Sequence, residues 1–100
     1  MSNSSSDPVI VWFNGGPGCS SMLGFAQEHG PYVMEDGSSN FVKNDYSWNM
    51  EANMIYIEAP AGVGFSICPD TTECQWDDNN SADDNLIAVL NILTMKFPEL

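Results

Sequence analysis

The residues best suited to chemistry are Asn14-Gly15-Gly16-Pro17-Gly18-Cys19-Ser20-Ser21, directly after the apolar run Pro8-Val9-Ile10-Val11-Trp12-Phe13. A short run that is apolar at every position predicts a strand buried on both faces of a parallel sheet. The run stops abruptly, and the backbone over Gly15–Gly18 carries almost no side chain. Chains do this where main-chain N–H groups must come close to a ligand atom. A Gly-rich loop after a strand is how an oxyanion hole is built on an α/β sheet, its N–H groups aimed at charge developing in acyl transfer. The plainer alternative is a tight turn with no ligand.

Gly-rich loops also cradle phosphates, and this one lacks the necessary parts. A Walker loop ends in Lys and Ser/Thr, whereas Cys19 and Ser20 follow Gly18. The dinucleotide fingerprint needs a third Gly or Ala; Gly16-x-Gly18 meets Ser21 at that position, and Gly62-Val63-Gly64 meets Ile67. Pro17 removes a further N–H that a phosphate cradle would use.

Metal and nucleophile chemistry find little else. Cys19, Cys68 and Cys74 are an odd number of cysteines, and His29 is the one histidine. Cys68 and Cys74 flank a turn-rich segment and could close a small local disulfide; they lack the short spacing of a structural zinc site, so no metal or other cofactor is expected. His29, between Glu28 and Gly30, tempts as a base; the plainer expectation is a structural or exposed imidazole. Glu28 alone reads as a surface carboxylate. Ser20 and Ser21 have no base near them in sequence and are expected to satisfy the loop's own backbone.

The formal net charge is −12, with Lys43 and Lys96 the only fixed cations, which argues against nucleic acid or an anionic membrane as partner. No run approaches the ~18 apolar residues of a membrane span. The acidic residues cluster at Glu73, Asp77, Asp78, Asp83 and Asp84. They read as a solvated surface, or alternatively as an adaptation to an acidic compartment. Sequons at Asn3 and Asn79 suit a secreted glycoprotein.

Beyond single motifs, almost the whole chain from Pro8 to Glu99 resembles the serine carboxypeptidases, an α/β-hydrolase family. The blocks that carry the resemblance, in order, are Trp12–Ser21, Glu28-His29-Gly30-Pro31, Asn44–Asn49, Ala52–Ser66 and Lys96-Phe97-Pro98-Glu99. The resemblance implies hydrolysis of C-terminal residues from peptides at acidic pH, with a peptide or protein bearing a free C-terminus as partner. It implies that the Gly16 N–H is an oxyanion donor, and that Asn14 and the Gly15 N–H bind the substrate's terminal carboxylate. Trp12 would line the substrate site. Glu28 corresponds to a glutamate that hydrogen-bonds a second one beside the nucleophile, a pair that shares a proton only in acid. In that family the cysteine of the Gly-rich loop pairs far downstream, so Cys19 is expected to need a partner outside these residues. The family is secreted, vacuolar or lysosomal.

Peptide hydrolysis of this type uses a Ser–His–Asp triad, with the serine on a Gly-x-Ser-x-Gly elbow. No such elbow occurs here, and the family places its own Gly-Glu-Ser-Tyr shortly after the Phe-Pro-Glu block. The chain is therefore read as an N-terminal piece without its triad, inactive alone. The polar start Met1–Asp7, with no leader character, fits an incomplete chain. Alternatives are a carboxypeptidase-like acyltransferase, against which Asn14 speaks, and an inert truncated product.

The elements that must position these residues follow from pattern. Residues 1–7 are expected to be a disordered lead-in and 8–100 one partial hydrolase domain. A central strand over Val9–Phe13 leads into the Gly-rich loop and a helical turn over Ser21–Gln27, closed by Gly30-Pro31. Tyr32–Glu35 and Asn40–Lys43 read as a hairpin about Asp36-Gly37. Trp48 and Asn49 are expected to be packing and turn residues. Asn53–Glu58 is a second buried strand, ending in another close-approach loop, Ala59–Gly64. Ser81-x-x-Asp84 resembles an N-cap signature, followed by a helix whose Leu86, Ile87, Val89, Leu90, Leu93 and Phe97 are expected in the core, with Pro98 as the stop. Strand, loop, strand and helix predict an open, mostly parallel α/β sheet.

Overall fold

The computed structural model describes residues 6–70, 72 and 74–100. The Asn3 sequon, Glu73 and most of the expected lead-in lie outside the described residues. Strand β1 (Val9–Phe13) pairs in parallel with a second strand, Asn53–Ile57, in a register that sets Val9 opposite Asn53 and Phe13 opposite Ile57. Parallel neighbours need a crossover, and residues 14–52 supply it. It contains the Gly-rich loop, a π-helical turn (Gly24–Glu28), the hairpin strands β2 (Tyr32–Met34) and β3 (Phe41–Lys43), and a 3₁₀ turn (Trp48–Met50). The strand Asn53–Ile57 is therefore β4, and helix α1 (Asp78–Asn91) follows it.

The hairpin forms where expected. The Ser38 N–H donates to the Glu35 carbonyl at 3.0 Å and Gly37 takes φ +74°, the left-handed conformation that the Asp-Gly pair makes available.

One face of the β1–β4 pair carries an aromatic layer. Trp12 and Tyr56 are register partners, so both side chains leave the same face. Phe25 packs edge-on against Tyr56 at 5.4 Å, while Trp48 stands edge-on to Trp12 at 6.0 Å. His29 lies among these rings. It stacks on Trp48 at 4.4 Å, meets Trp12 edge-on at 4.4 Å, and its Nδ1 is 3.0 Å from the Tyr56 hydroxyl. Of the two readings left open for His29, the structure selects the buried, structural one.

Three expectations are corrected. Strand β1 is half-buried rather than enclosed, and β4 is buried only at Asn53 and Met54, because each has one strand neighbour among the described residues and an open edge on its other side. Helix α1 starts at Asp78, not after Ser81. Asp77 is its N-cap, accepting from the Asn79 and Asn80 N–H groups at 2.8 and 2.9 Å, while the Asn80 side chain accepts from the Asp77 N–H at 2.8 Å. An aspartate with a reciprocating amide three residues on completes a capping box, and its charge suits the positive end of the helix. Finally, the apolar stripe of α1 is not in a core: Leu86 and Ile87 are 58% and 57% exposed. The helix turns Asp78, Ser81, Asn85 and Ala88 towards the ends of the strands, and no second layer among the described residues covers its other face.

Candidate functional site

The Gly-rich loop is pinned at both ends by serines. Ser21, the most completely buried side chain, donates its hydroxyl to the Ile57 carbonyl at 2.5 Å and accepts from the Asn14 N–H at 3.1 Å. Phe13 and Ile57 are register partners, so this one hydroxyl bolts together the C-terminal ends of β1 and β4. The Ser20 hydroxyl accepts from the Met22 N–H at 3.1 Å and donates to the Glu58 carboxylate. The expectation that both serines serve only their own loop is therefore half of the result; each also reaches across to the second strand. The sequence signal for the second contact was Glu58, a charge directly after the apolar run Met54–Ile57. Ser21→Ala removes a fully buried hydroxyl and strands both its partners, which should cost on the order of 2 kcal/mol. A chemical-denaturation midpoint in the complete protein measures it, with Ser39→Ala on the hairpin loop as control.

Between these pins the loop backbone is open. Gly16 takes φ +144° and Gly18 φ +88°, in the region that favours glycine. A Cβ on Gly16 would sit 3.0 Å from the Cys19 nitrogen and 3.1 Å from its sulfur, so the loop folds too tightly there for any side chain. Among the described residues, neither the Gly15 nor the Gly16 N–H has an internal acceptor, and both residues are exposed. With Asn14 they line a cleft of about 420 Å³, which Ala59 and Pro60 bound on one side and Asp78, Ser81 and Asn85 of α1 on another. The two close-approach loops of the sequence thus face each other across this cleft.

The Asn14 side chain has its oxygen 3.3 Å from the Trp12 indole nitrogen, which donates to it. Its NH₂ has only a long contact, 3.5 Å to the Gly15 carbonyl, and keeps donor capacity. Trp12 stands behind Asn14, packed over Gly24, where an added Cβ would come within 2.6 Å of the indole nitrogen. Trp12 and Glu28 lie outside the lining of the cleft. Glu28 is exposed at the end of the π-helical turn, its carboxylate 3.8 Å from His29 Nε2. Through the His29–Trp12 contact it is joined to the back of Asn14.

Glu58 also accepts from the Phe65 N–H, and these bonds hold its carboxyl below the ordinary glutamate range, the Ser20 hydroxyl contributing most and the Phe65 amide next. A carboxylate whose pKa folding lowers adds stability that is present above its ordinary pKa and is lost as pH falls through the lowered one. This contact therefore survives into mildly acidic solution.

Cys68 and Cys74 are joined in the local disulfide that their spacing allowed, and Cys19 is unpaired and exposed. The disulfide lies beside Gly62 and Trp76, whose indole nitrogen donates to the Ala61 carbonyl at 3.0 Å. Among the described residues no group of His, Cys, Asp and Glu is arranged to hold a metal ion. No helix among them is long and apolar enough to cross a membrane.

The chain is 48% identical over 99 residues to serine carboxypeptidase-like 35 of Arabidopsis thaliana, covering 97% of this chain and 20% of that protein. It is 44% identical over 92 residues to the lysosomal protective protein of Mus musculus, covering 92% of this chain and 19% of that protein. The crystal structure of Kex1(Δ)p, a prohormone-processing carboxypeptidase from Saccharomyces cerevisiae, superposes with a TM-score of 0.74 at 32% identity, over 93% of this chain and 20% of that one. The fold is thus a part of the α/β-hydrolase sheet, and the chain spans about one fifth of the length of these relatives. The profile of the serine carboxypeptidases matches residues 1–100, and the chain belongs to that family.

Proposed function

We propose that residues 8–100 form the oxyanion- and carboxylate-binding side of a serine-type carboxypeptidase that releases C-terminal residues from peptides in an acidic vacuolar, lysosomal or secreted setting. The observation that carries this reading is the pair of exposed N–H groups, Gly15 and Gly16, without internal acceptors and next to the Asn14 amide in one cleft. The Gly16 N–H is the oxyanion donor. The Gly15 N–H and the Asn14 NH₂ take the terminal carboxylate of the peptide. Trp12 supports this site from behind by orienting the Asn14 amide, and Glu28 provides the acid-dependent donor together with a second carboxyl outside these residues. Cys19 pairs with a cysteine outside them. The nucleophile, base and orienting acid are likewise not among residues 1–100.

The reading is tested in the protein expressed from the whole reading frame. Asn14→Ala should lower kcat/KM on peptides with a free C-terminus about tenfold to a hundredfold, the range for losing a hydrogen bond to a charged group. The same change should lower it less than about threefold on matching C-terminal amides, which carry no charge there. Equal losses on both substrates would remove Asn14 from carboxylate binding. A reading frame without a downstream serine elbow would remove the hydrolytic function.

A further inference from the structure

We propose that Glu58 is a positioning residue for the oxyanion loop, its carboxylate locking the Ser20 end of that loop to the loop on the opposite side of the cleft. Loop 14–20 has little to hold it from within. Among the described residues, no backbone hydrogen bond joins any two of residues 15–19 to each other. Its shape is set where it is fastened, by Ser21 at the Asn14 end and by Ser20 at the other. Ser20 is held by its own turn, where its carbonyl accepts from the Leu23 N–H at 3.1 Å, and its tie to the second strand is through Glu58.

Glu58 is itself held against a self-bonded platform. In the loop after β4, the Gly62 N–H donates to the Ser66 carbonyl at 3.0 Å, and the Val63 N–H to Pro60 at 3.1 Å. The Ser66 N–H donates to the Val63 carbonyl at 2.9 Å, and the Ser66 hydroxyl to the Glu58 carbonyl at 2.5 Å. The Phe65 N–H of the same loop takes the second oxygen of the Glu58 carboxylate, the first being bound by Ser20. One carboxylate thus bridges the two loops, one oxygen to each.

The same carboxylate also fills the space beside Gly64. Gly64 takes φ +54°, and any Cβ there would collide with the Glu58 carboxylate. A side chain at this position would displace the carboxylate from the place it holds. The lowered pKa of Glu58 is consistent with a group that stays charged, and so keeps its charge-assisted bonds, into acidic solution. The catalytic consequence rests on the carboxypeptidase reading above; the mechanical link does not.

The test uses the protein expressed from the whole reading frame, with Glu58→Gln and Ser20→Ala. Glutamine keeps the size and one of the two acceptor oxygens, but not the charge or the second acceptor. Two quantities are read on each variant: kcat per active site, titrated with a fluorophosphonate, together with KM; and amide hydrogen exchange by residue. Misplacing a catalytic donor by about an ångström costs up to about a hundredfold. Glu58→Gln should therefore lower kcat about tenfold or more, with KM within about twofold. The Phe65 and Met22 amides should exchange about tenfold faster, while those of β1 and β4 stay unchanged. Ser20→Ala should act in the same direction at the Met22 amide and on kcat. Unchanged kcat per active site with unchanged exchange would overturn the proposal. So would faster exchange spread equally over β1 and β4, since that marks a general loss of stability. If the wild-type protein cleaves no peptide, the carboxypeptidase reading fails, and the exchange pattern alone decides whether Glu58 locks the two loops.

Discussion

Gly16→Ala, in the protein expressed from the whole reading frame, is expected to lower kcat about a hundredfold while moving KM little. Removing one oxyanion donor costs about that factor in acyl-transfer enzymes. The backbone explains why so small a change suffices. At φ +144° an L side chain is strained, and the new Cβ meets the Cys19 nitrogen at 3.0 Å and the Gly18 nitrogen at 3.1 Å. These are backbone atoms of the same turn and cannot give way without turning the peptide that carries the donor. Gly37→Ala separates strain from function: Gly37 has φ +74° with nothing near its would-be Cβ, and it lies on the hairpin turn. That variant should cost stability on the order of 1 kcal/mol and leave kcat within about twofold. Steady-state kinetics per titrated active site, beside a thermal midpoint, measure both. If Gly16→Ala and Gly37→Ala lower kcat alike, the oxyanion role of Gly16 is lost.

The second large effect concerns residues 1–100 expressed alone. These are expected to show no single cooperative unfolding transition, to bind a hydrophobic dye and to self-associate. The radius of gyration is 14.9 Å, against about 13 Å for a compact domain of this length. The buried apolar side chains among the described residues are Ala52 and Met54, while Leu86, Ile87, Leu90, Phe65 and Ile67 are more than half exposed. Burial at about 25 cal/mol per Å² cannot offset about 1–2 kcal/mol of backbone entropy per residue when so little apolar surface is covered. The open edges of β1 and β4 add unpaired backbone groups, a template for association. The Cys68–Cys74 bond constrains only a short loop and contributes correspondingly little. The same sample should take no fluorophosphonate label. A monomer by sedimentation with a sharp thermal transition would contradict the expectation, and would mean that the exposed stripe of α1 is tolerated in water.

Some of this was legible in the residues because its causes are local. The apolar run Val9–Phe13 and its sudden end in glycine, the Asp36-Gly37 turn and the local Cys68–Cys74 bridge each depend on a few neighbouring residues. Turn chemistry and side-chain alternation act over that range. Five ordered blocks of sequence were enough to name the family.

What only the tertiary structure decided depends on pairing distant segments. The parallel register brings Ile57 and Glu58 next to Ser21 and Ser20, 36 and 38 residues away along the chain. No periodicity in the sequence announces a contact of that kind, because it exists only once a crossover has laid one strand beside another. The burial of His29 needs Trp12, Trp48 and Tyr56 from three separate elements. The direction of α1 was open for a related reason. A helical stripe reveals which side is apolar, but not whether a neighbour is present to cover it. Here the small and polar side turns to the strands, and Leu86, Ile87 and Leu90 of the apolar side meet water. At the helix start, the Ser81 signature proved to lie inside the helix, and the cap is Asp77, whose hydrogen bond Asn80 returns. The Gly-rich loop combines both kinds of cause: its glycines are written locally, and its two serines are fastened to the neighbouring strand.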